Sequence, residues 1–105
     1  MHHTDGRWSA TNTGTNNGVI VTRAAQENKT HFAEFISGYS DLDTAVQILD
    51  GNDIVWEIEV NVSSQSFFNI ELGCLPITPG NAVTAKITHS TASCRITMIG
   101  FTFPQ

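Results

Sequence analysis

Thr44-Ala45-Val46-Gln47-Ile48-Leu49-Asp50-Gly51-Asn52-Asp53-Ile54-Val55-Trp56-Glu57-Ile58-Glu59-Val60 carries the strongest structural signal in the chain. On its second arm Ile54, Trp56, Ile58 and Val60 alternate with Val55, Glu57 and Glu59. A period of two sets an apolar face against a core and an acidic face toward water. The first arm, residues 44–49, is rich in β-formers, and Asp50-Gly51 is a pair that tolerates positive φ in a tight connection. The segment reads as a β-hairpin, with Trp56 its largest core anchor and Ile54 and Ile58 beside it.

Working outward toward the N-terminus, residues 30–39 are β-rich, but Phe32, Phe35, Ile36 and Tyr39 break strict alternation. A bulge, or burial on both faces, accounts for that. A helix over residues 24–36 is the alternative, since Ala24, Ala25, Phe32, Phe35 and Ile36 fall near helical spacing. Residues 19–22 form a short strand, and residues 7–12 a first strand with Trp8 and Ala10 on one face, the two joined by a polar Thr/Asn/Gly loop. Toward the C-terminus, residues 66–72 form a strand with Phe68, Ile70 and Leu72 inward. Pro76, Pro79 and Gly80 make residues 73–81 a long ordered loop, because proline cannot run through a central sheet. Val83, Ala85 and Ile87 alternate with Thr84, Lys86 and Thr88, and the last strand, residues 94–103, sets Ile96 and Met98 on one face and Ile99, Phe101 and Phe103 on the other. About eight strands punctuated by turns describe an all-β fold, a single antiparallel β-sandwich of jelly-roll or related Greek-key type. Residues 1–7 form an N-terminal arm and residues 8–105 the sandwich.

A chain of 105 residues is one domain, able to bury roughly two-thirds of its unfolded surface without covalent staples. The apolar fraction of 40% is ordinary, whereas only 14% is charged, with Thr, Asn and Ser supplying a neutral polar surface. A net charge of −5 with five Lys and Arg in total supplies no cationic stripe, which argues against nucleic acid as a partner. No run approaches a membrane span and the opening residues have no secretory pattern, so no membrane partner is expected and the product reads as soluble and made in the cytosol. Cys74 and Cys94 read as small buried hydrophobes in that compartment, a disulfide between them remaining the alternative.

Chemistry-bearing patterns are sparse. His31 and His89 lack metal-ligand spacing, and Asp41, Asp43, Asp50 and Asp53 lack the alternating ligands, glycine and closing glutamate of a calcium loop, so turn formation explains them more simply. Glu57 and Glu59 share a strand face as a glycosidase pair would, but an amphipathic strand places them there anyway. No nucleophile elbow or triad can be nominated. The expectation is no enzyme, no catalytic residue, no metal and no cofactor. Two-faced strands point elsewhere: Phe67, Phe101 and Phe103, with Leu49 or Val55 as a further candidate, fall opposite their strands' main apolar sets. They either cap the core through slipped register or form a second apolar face suited to association.

Trp8-Ser9-Ala10-Thr11, Asp50-Gly51 with Ile54-Val55-Trp56, Pro79-Gly80-Asn81-Ala82-Val83 and Ile99-Gly100-Phe101 together resemble the loose pattern of small β-sandwich virion proteins of tailed bacteriophages, the capsid cement or decoration proteins and related tail modules. The resemblance spans nearly the whole chain and implies a virion location, assembly as a homo-oligomer with a trimer favoured, and binding to the outside of the shell, against the major capsid protein or another virion protein. Phe67, Phe101, Phe103, Trp8 and Arg7 are the candidate oligomer or capsid contacts; Trp56, Ile54, Ile58, Phe68, Ile70 and Ile96 are the expected core anchors. An extended arm of residues 1–7 would reach about 20 Å. The competing expectation is a carbohydrate-binding or receptor-binding module using Trp8, Trp56 or Tyr39 as a sugar platform.

Overall fold

The structure, a computed structural model, describes residues 6–14, 18–63, 66–89 and 92–104. Eight strands follow in order: β1 (Gly6–Gly14), β2 (Val19–Arg23), β3 (Lys29–Ser40), β4 (Thr44–Asp50), β5 (Asp53–Val60), β6 (Phe67–Pro76), β7 (Val83–Ile87) and β8 (Cys94–Pro104). They form two antiparallel four-stranded sheets, β1-β8-β3-β6 and β2-β7-β4-β5. This interleaving of two Greek keys is a jelly roll. Residues 29–36 lie in β3, which removes the helix alternative there. The core sets Val46, Ile48, Val83, Ala85 and Ile87 of the second sheet against Ile96, Met98, Ile36 and Phe68 of the first; periodicity points to the inward residues of β7 and to Phe68, Ile96 and Met98.

Two glycines let the first sheet close over its own aromatics. Trp8 of β1 pairs with Gly100 of β8, and Phe68 of β6 pairs with Gly38 of β3. A Cβ on Gly100 would collide with the Phe32 carbonyl oxygen and stand 2.7 Å from the Trp8 ring; one on Gly38 would collide with the Arg95 carbonyl oxygen and stand 2.9 Å from the Phe68 ring. Each edge strand thus lays an aromatic ring over a glycine of the neighbouring central strand, filling the gap left by the missing side chain.

Three expectations are corrected. Ile54 is 56% exposed and is not a core anchor. Register shifts where Ile48 faces Trp56 and Leu49 faces Ile54, leaving Val55 as an extra residue. That bulge reverses which face each residue meets, so Ile54 and Leu49 turn outward while Trp56 and Ile48 turn inward. Trp8 is 8% exposed and belongs to the core, not to a contact surface. β6 continues to Pro76 instead of ending in a loop at residue 73: it is an edge strand, where proline is tolerated, and Gly73 and Cys74, both at positive φ, interrupt its ladder. Trp56, Ile58 and Ile70 are half-buried against the core, whereas Phe68 and Ile96 are fully within it. Gly6 and Arg7 lie inside β1; the rest of the expected arm, residues 1–5, lies outside the described residues.

Candidate functional site

Alternate residues of β1, β8, β3 and β6 that do not enter the core share the outer face of their sheet. Cross-strand register sets Arg7 beside Phe101 beside Phe32, Ser9 beside Ile99 beside Phe35 beside Glu71, and Arg95 beside Tyr39 beside Phe67. The face carries an aromatic cluster at either end. At one end Phe103 meets Phe32 edge-on at 5.6 Å and stacks on Phe101 at 6.0 Å. Arg7 lies over the Phe101 ring at 5.5 Å and pairs with Glu34 at 2.8 Å. At the other end Tyr39 and Phe67 lie 6.0 Å apart. Phe103 is 51% and Phe67 67% exposed, while Phe32, Phe35, Ile99 and Phe101 are half-buried. Phe67, Phe101 and Phe103, the residues out of phase with their strands' core sets, are therefore brought onto one surface, together with Phe32 and Phe35. The bulge between Ala33 and Phe35 turns Phe35 outward; the broken alternation of Phe32, Phe35 and Ile36 signals that bulge in the sequence, without showing which residue it turns toward the surface.

The second feature is an open edge. β5 and β6 are the edge strands of the two sheets on one side of the sandwich, and an open cleft of about 320 Å³ lies between them, lined by Ile58, Glu59, Val60 and Asn61 of one sheet and Phe67, Phe68, Asn69 and Ile70 of the other. The opposite side, formed by β1 and β2, is closed by the Asn12 side-chain amide donating to the Ile20 carbonyl at 2.8 Å.

The remaining candidates have structural duties. His31 is buried, with Nδ1 2.6 Å from Thr102 Oγ1 and Nε2 2.8 Å from the Ala24 carbonyl, so neither ring nitrogen faces an open position. A carbonyl only accepts, so Nε2 carries the hydrogen; in the neutral ring Thr102 donates to Nδ1 while accepting from Trp8 Nε1 at 2.8 Å. Asp41 and Asp43 accept backbone N–H groups of Ser93 and Val62 at the other end of the molecule from Asp50. No group of three or more His, Cys, Asp or Glu suited to a metal occurs among the described residues. Cys74 is exposed and Cys94 buried, and they are not joined. Burial pushes the Cys94 thiol up, against a hydrogen bond to Ser40 and with Asp41 adding to the rise.

Asp50 ties the central hairpin to the β6–β7 connection, accepting from Thr78 N at 2.9 Å, Thr78 Oγ1 at 2.7 Å and Asn81 Nδ2 at 2.9 Å. Partial burial pushes its carboxyl up, but the bonds from Asn81 and Thr78 outweigh it and hold it below the usual carboxylate range. A depressed carboxyl stabilises the fold above its unfolded pKa and loses that contribution as pH falls through the folded value. The stability difference between the natural protein and Asp50→Asn should therefore be constant above about pH 5 and shrink below about pH 4, measured by urea unfolding at a series of pH values.

No protein-family model matches the chain, and no curated protein matches it in sequence. Among solved structures it is similar to the Podospora anserina GH26-CBM35 β-(1,4)-mannanase, with 12% identity and a TM-score of 0.53 over 96% of this chain. The chain spans 28% of the length of that mannanase. A match to the Tobacco streak virus coat protein has 8% identity and a TM-score of 0.35, covering 100% of this chain and 93% of that one. What the mannanase match shows is a shared β-sandwich fold.

Proposed function

We propose that this chain is a non-enzymatic structural protein of a tailed-phage virion, a cement or decoration protein that seats the aromatic outer face of the β1-β8-β3-β6 sheet on the major capsid protein and works as a homotrimer. The observation that carries this reading is the exposure of Phe67 and Phe103 on one sheet face that also bears Phe32, Phe35, Ile99 and Phe101. Monomeric soluble proteins rarely leave large contiguous apolar patches exposed. Binding that favours an assembled lattice over free subunits stabilises the lattice by mass action, repeated at each copy, and needs no reactive group. Co-sedimentation with phage heads lacking the protein tests it. Phe67→Ser/Phe103→Ser should weaken head binding at least about tenfold, each buried aromatic at an interface contributing on the order of 1 kcal/mol or more, with an unchanged circular dichroism spectrum. Absence of binding by the natural protein sinks the reading.

A carbohydrate-binding role is the second reading, favoured by the fold shared with a mannanase that carries a carbohydrate-binding module. Of its three candidate platforms Trp8 is in the core and Trp56 half-buried. Tyr39 remains, paired with exposed Phe67 and flanked by Ser37, Asn69 and Arg95. Glycan-array binding that is lost in Tyr39→Ala, with no binding to heads, would select this reading over the first.

A further inference from the structure

The two long sides of the sandwich differ in charge, one acidic and the other without an acidic residue on its strands. Of ten acidic residues, four lie on the open side, Asp53, Glu57 and Glu59 on β5 and Glu71 on β6, and none of the five Lys and Arg residues is there. The closed side carries Arg7 on β1, its charge met by Glu34 of β3, and Arg23 on β2, and neither edge strand has an acidic residue of its own. The sides also differ in relief. Ile20 stands 44% exposed on the closed side, whereas the open side is indented by the cleft between β5 and β6.

From these features we infer that copies of this chain associate head to tail, the β1/β2 side of one seated on the β5/β6 side of the next. Strand register carries the match further. Across the second sheet Arg23 is level with Val83, Asp50 and Asp53; Ile20 is level with Lys86, Gln47 and Glu57; Val19 is level with Ile87, Val46 and Ile58, at the mouth of the cleft. A rotation about an axis parallel to the strands preserves these levels. It brings Arg23 of one copy opposite Asp53 of its neighbour and Ile20 beside the cleft. Arg23 also lies over the Trp8 ring at 5.4 Å, so the basic side is anchored to the core. The molecule measures 45 × 22 × 22 Å, so a long side offers on the order of the 800 Å² per partner of a stable interface. A heterologous contact of this kind closes into a ring or continues as a filament, whereas like side against like side would set acid against acid. The contact leaves the aromatic sheet face clear and rests on no capsid contact, and it would supply the interface of the homotrimer proposed above.

Sedimentation velocity of the purified full chain tests the inference. At about 50 µM and about 0.05 M salt the natural protein should sediment at about three or more times the monomer mass, and fall toward monomer at about 0.5 M salt as screening tightens. Glu57→Lys/Glu59→Lys on the acidic side and Ile20→Asp/Thr22→Asp on the basic side should each be monomeric at low salt. Mixed in equal amounts they should re-associate, because reversed sides then meet reversed sides and natural sides meet natural ones. Should the first variant misfold by losing the Gln47–Glu57 bond, Glu59→Lys/Glu71→Lys replaces it, with circular dichroism confirming the fold. A natural protein that stays monomeric at low salt, an edge variant that keeps its oligomer, or a mixture that stays monomeric overturns head-to-tail association. Head binding, measured separately, tests the aromatic contact with the capsid, whereas a natural protein that stays monomeric removes the homotrimer alone.

Discussion

Gly100→Ala should lower stability by about 3 kcal/mol or more, and the melting temperature by roughly 12 °C or more. The added methyl meets the Phe32 carbonyl oxygen of β3 on one side and the Trp8 ring of β1 on the other. A flexible side chain could swing aside. A backbone oxygen held in the β3–β8 ladder cannot, and the indole is fixed by its bond to Thr102. Relief requires either β8 to move off β3 or Trp8 to leave the core, so the loss exceeds what a methyl group normally does to a sheet. Gly38→Ala should behave alike through the Arg95 carbonyl. Thermal unfolding followed by tryptophan fluorescence checks both. A shift of only about 4 °C, equivalent to less than about 1 kcal/mol, would mean that the ring-over-glycine description is wrong.

The second large effect is expected at Thr102, which is fully buried between Trp8 and His31. Thr102→Val keeps the shape and removes only the hydroxyl, yet it strands the Trp8 indole N–H and the acceptor nitrogen of His31 at once. Each stranded group contributes a penalty of about 1–3 kcal/mol, and the total expected is about 2–4 kcal/mol by chemical denaturation. Thr102→Ser restores both bonds and loses one methyl group, so it should cost only about 1 kcal/mol. If serine is as damaging as valine, the hydroxyl is not what stabilises this part of the core.

Much of the architecture was legible from residue order. Alternation in residues 83–88, with Ile96 and Met98 beyond, identified inward faces that the structure keeps, because antiparallel strands with one wet side must alternate. Ile54 shows where that logic stops. A single extra residue at Val55 reverses phase mid-strand, and although Leu49 or Val55 falls out of phase in the sequence, three consecutive apolar residues, Ile54, Val55 and Trp56, do not show which of them is the extra one. Trp8 was set on the right face with Ala10, but a tryptophan between Arg7 and Ser9 does not reveal whether its face is core or surface. The aromatic surface was half legible: Phe67, Phe101 and Phe103 betray it by being out of phase, and the broken alternation around Phe35 signals the β3 bulge without saying that Phe35 is the residue it turns outward. The cleft and the lateral separation of charge were not legible. They depend on which strands end up at sheet edges, a consequence of strand order that local patterns do not encode.

The pairing of β1 with β8 bears on how the polypeptide matures during translation. Trp8 faces Gly100, so β1 leaves the ribosome before all of β2 to β7 and waits for them to be made before meeting its neighbour β8. The β2-β7-β4-β5 sheet needs no residue beyond Ile87 and is free to assemble first. At 5–20 residues per second the interval is roughly 5–20 s, during which the nascent β1 indole, and the half-built sheet it belongs to, would be exposed to chaperones.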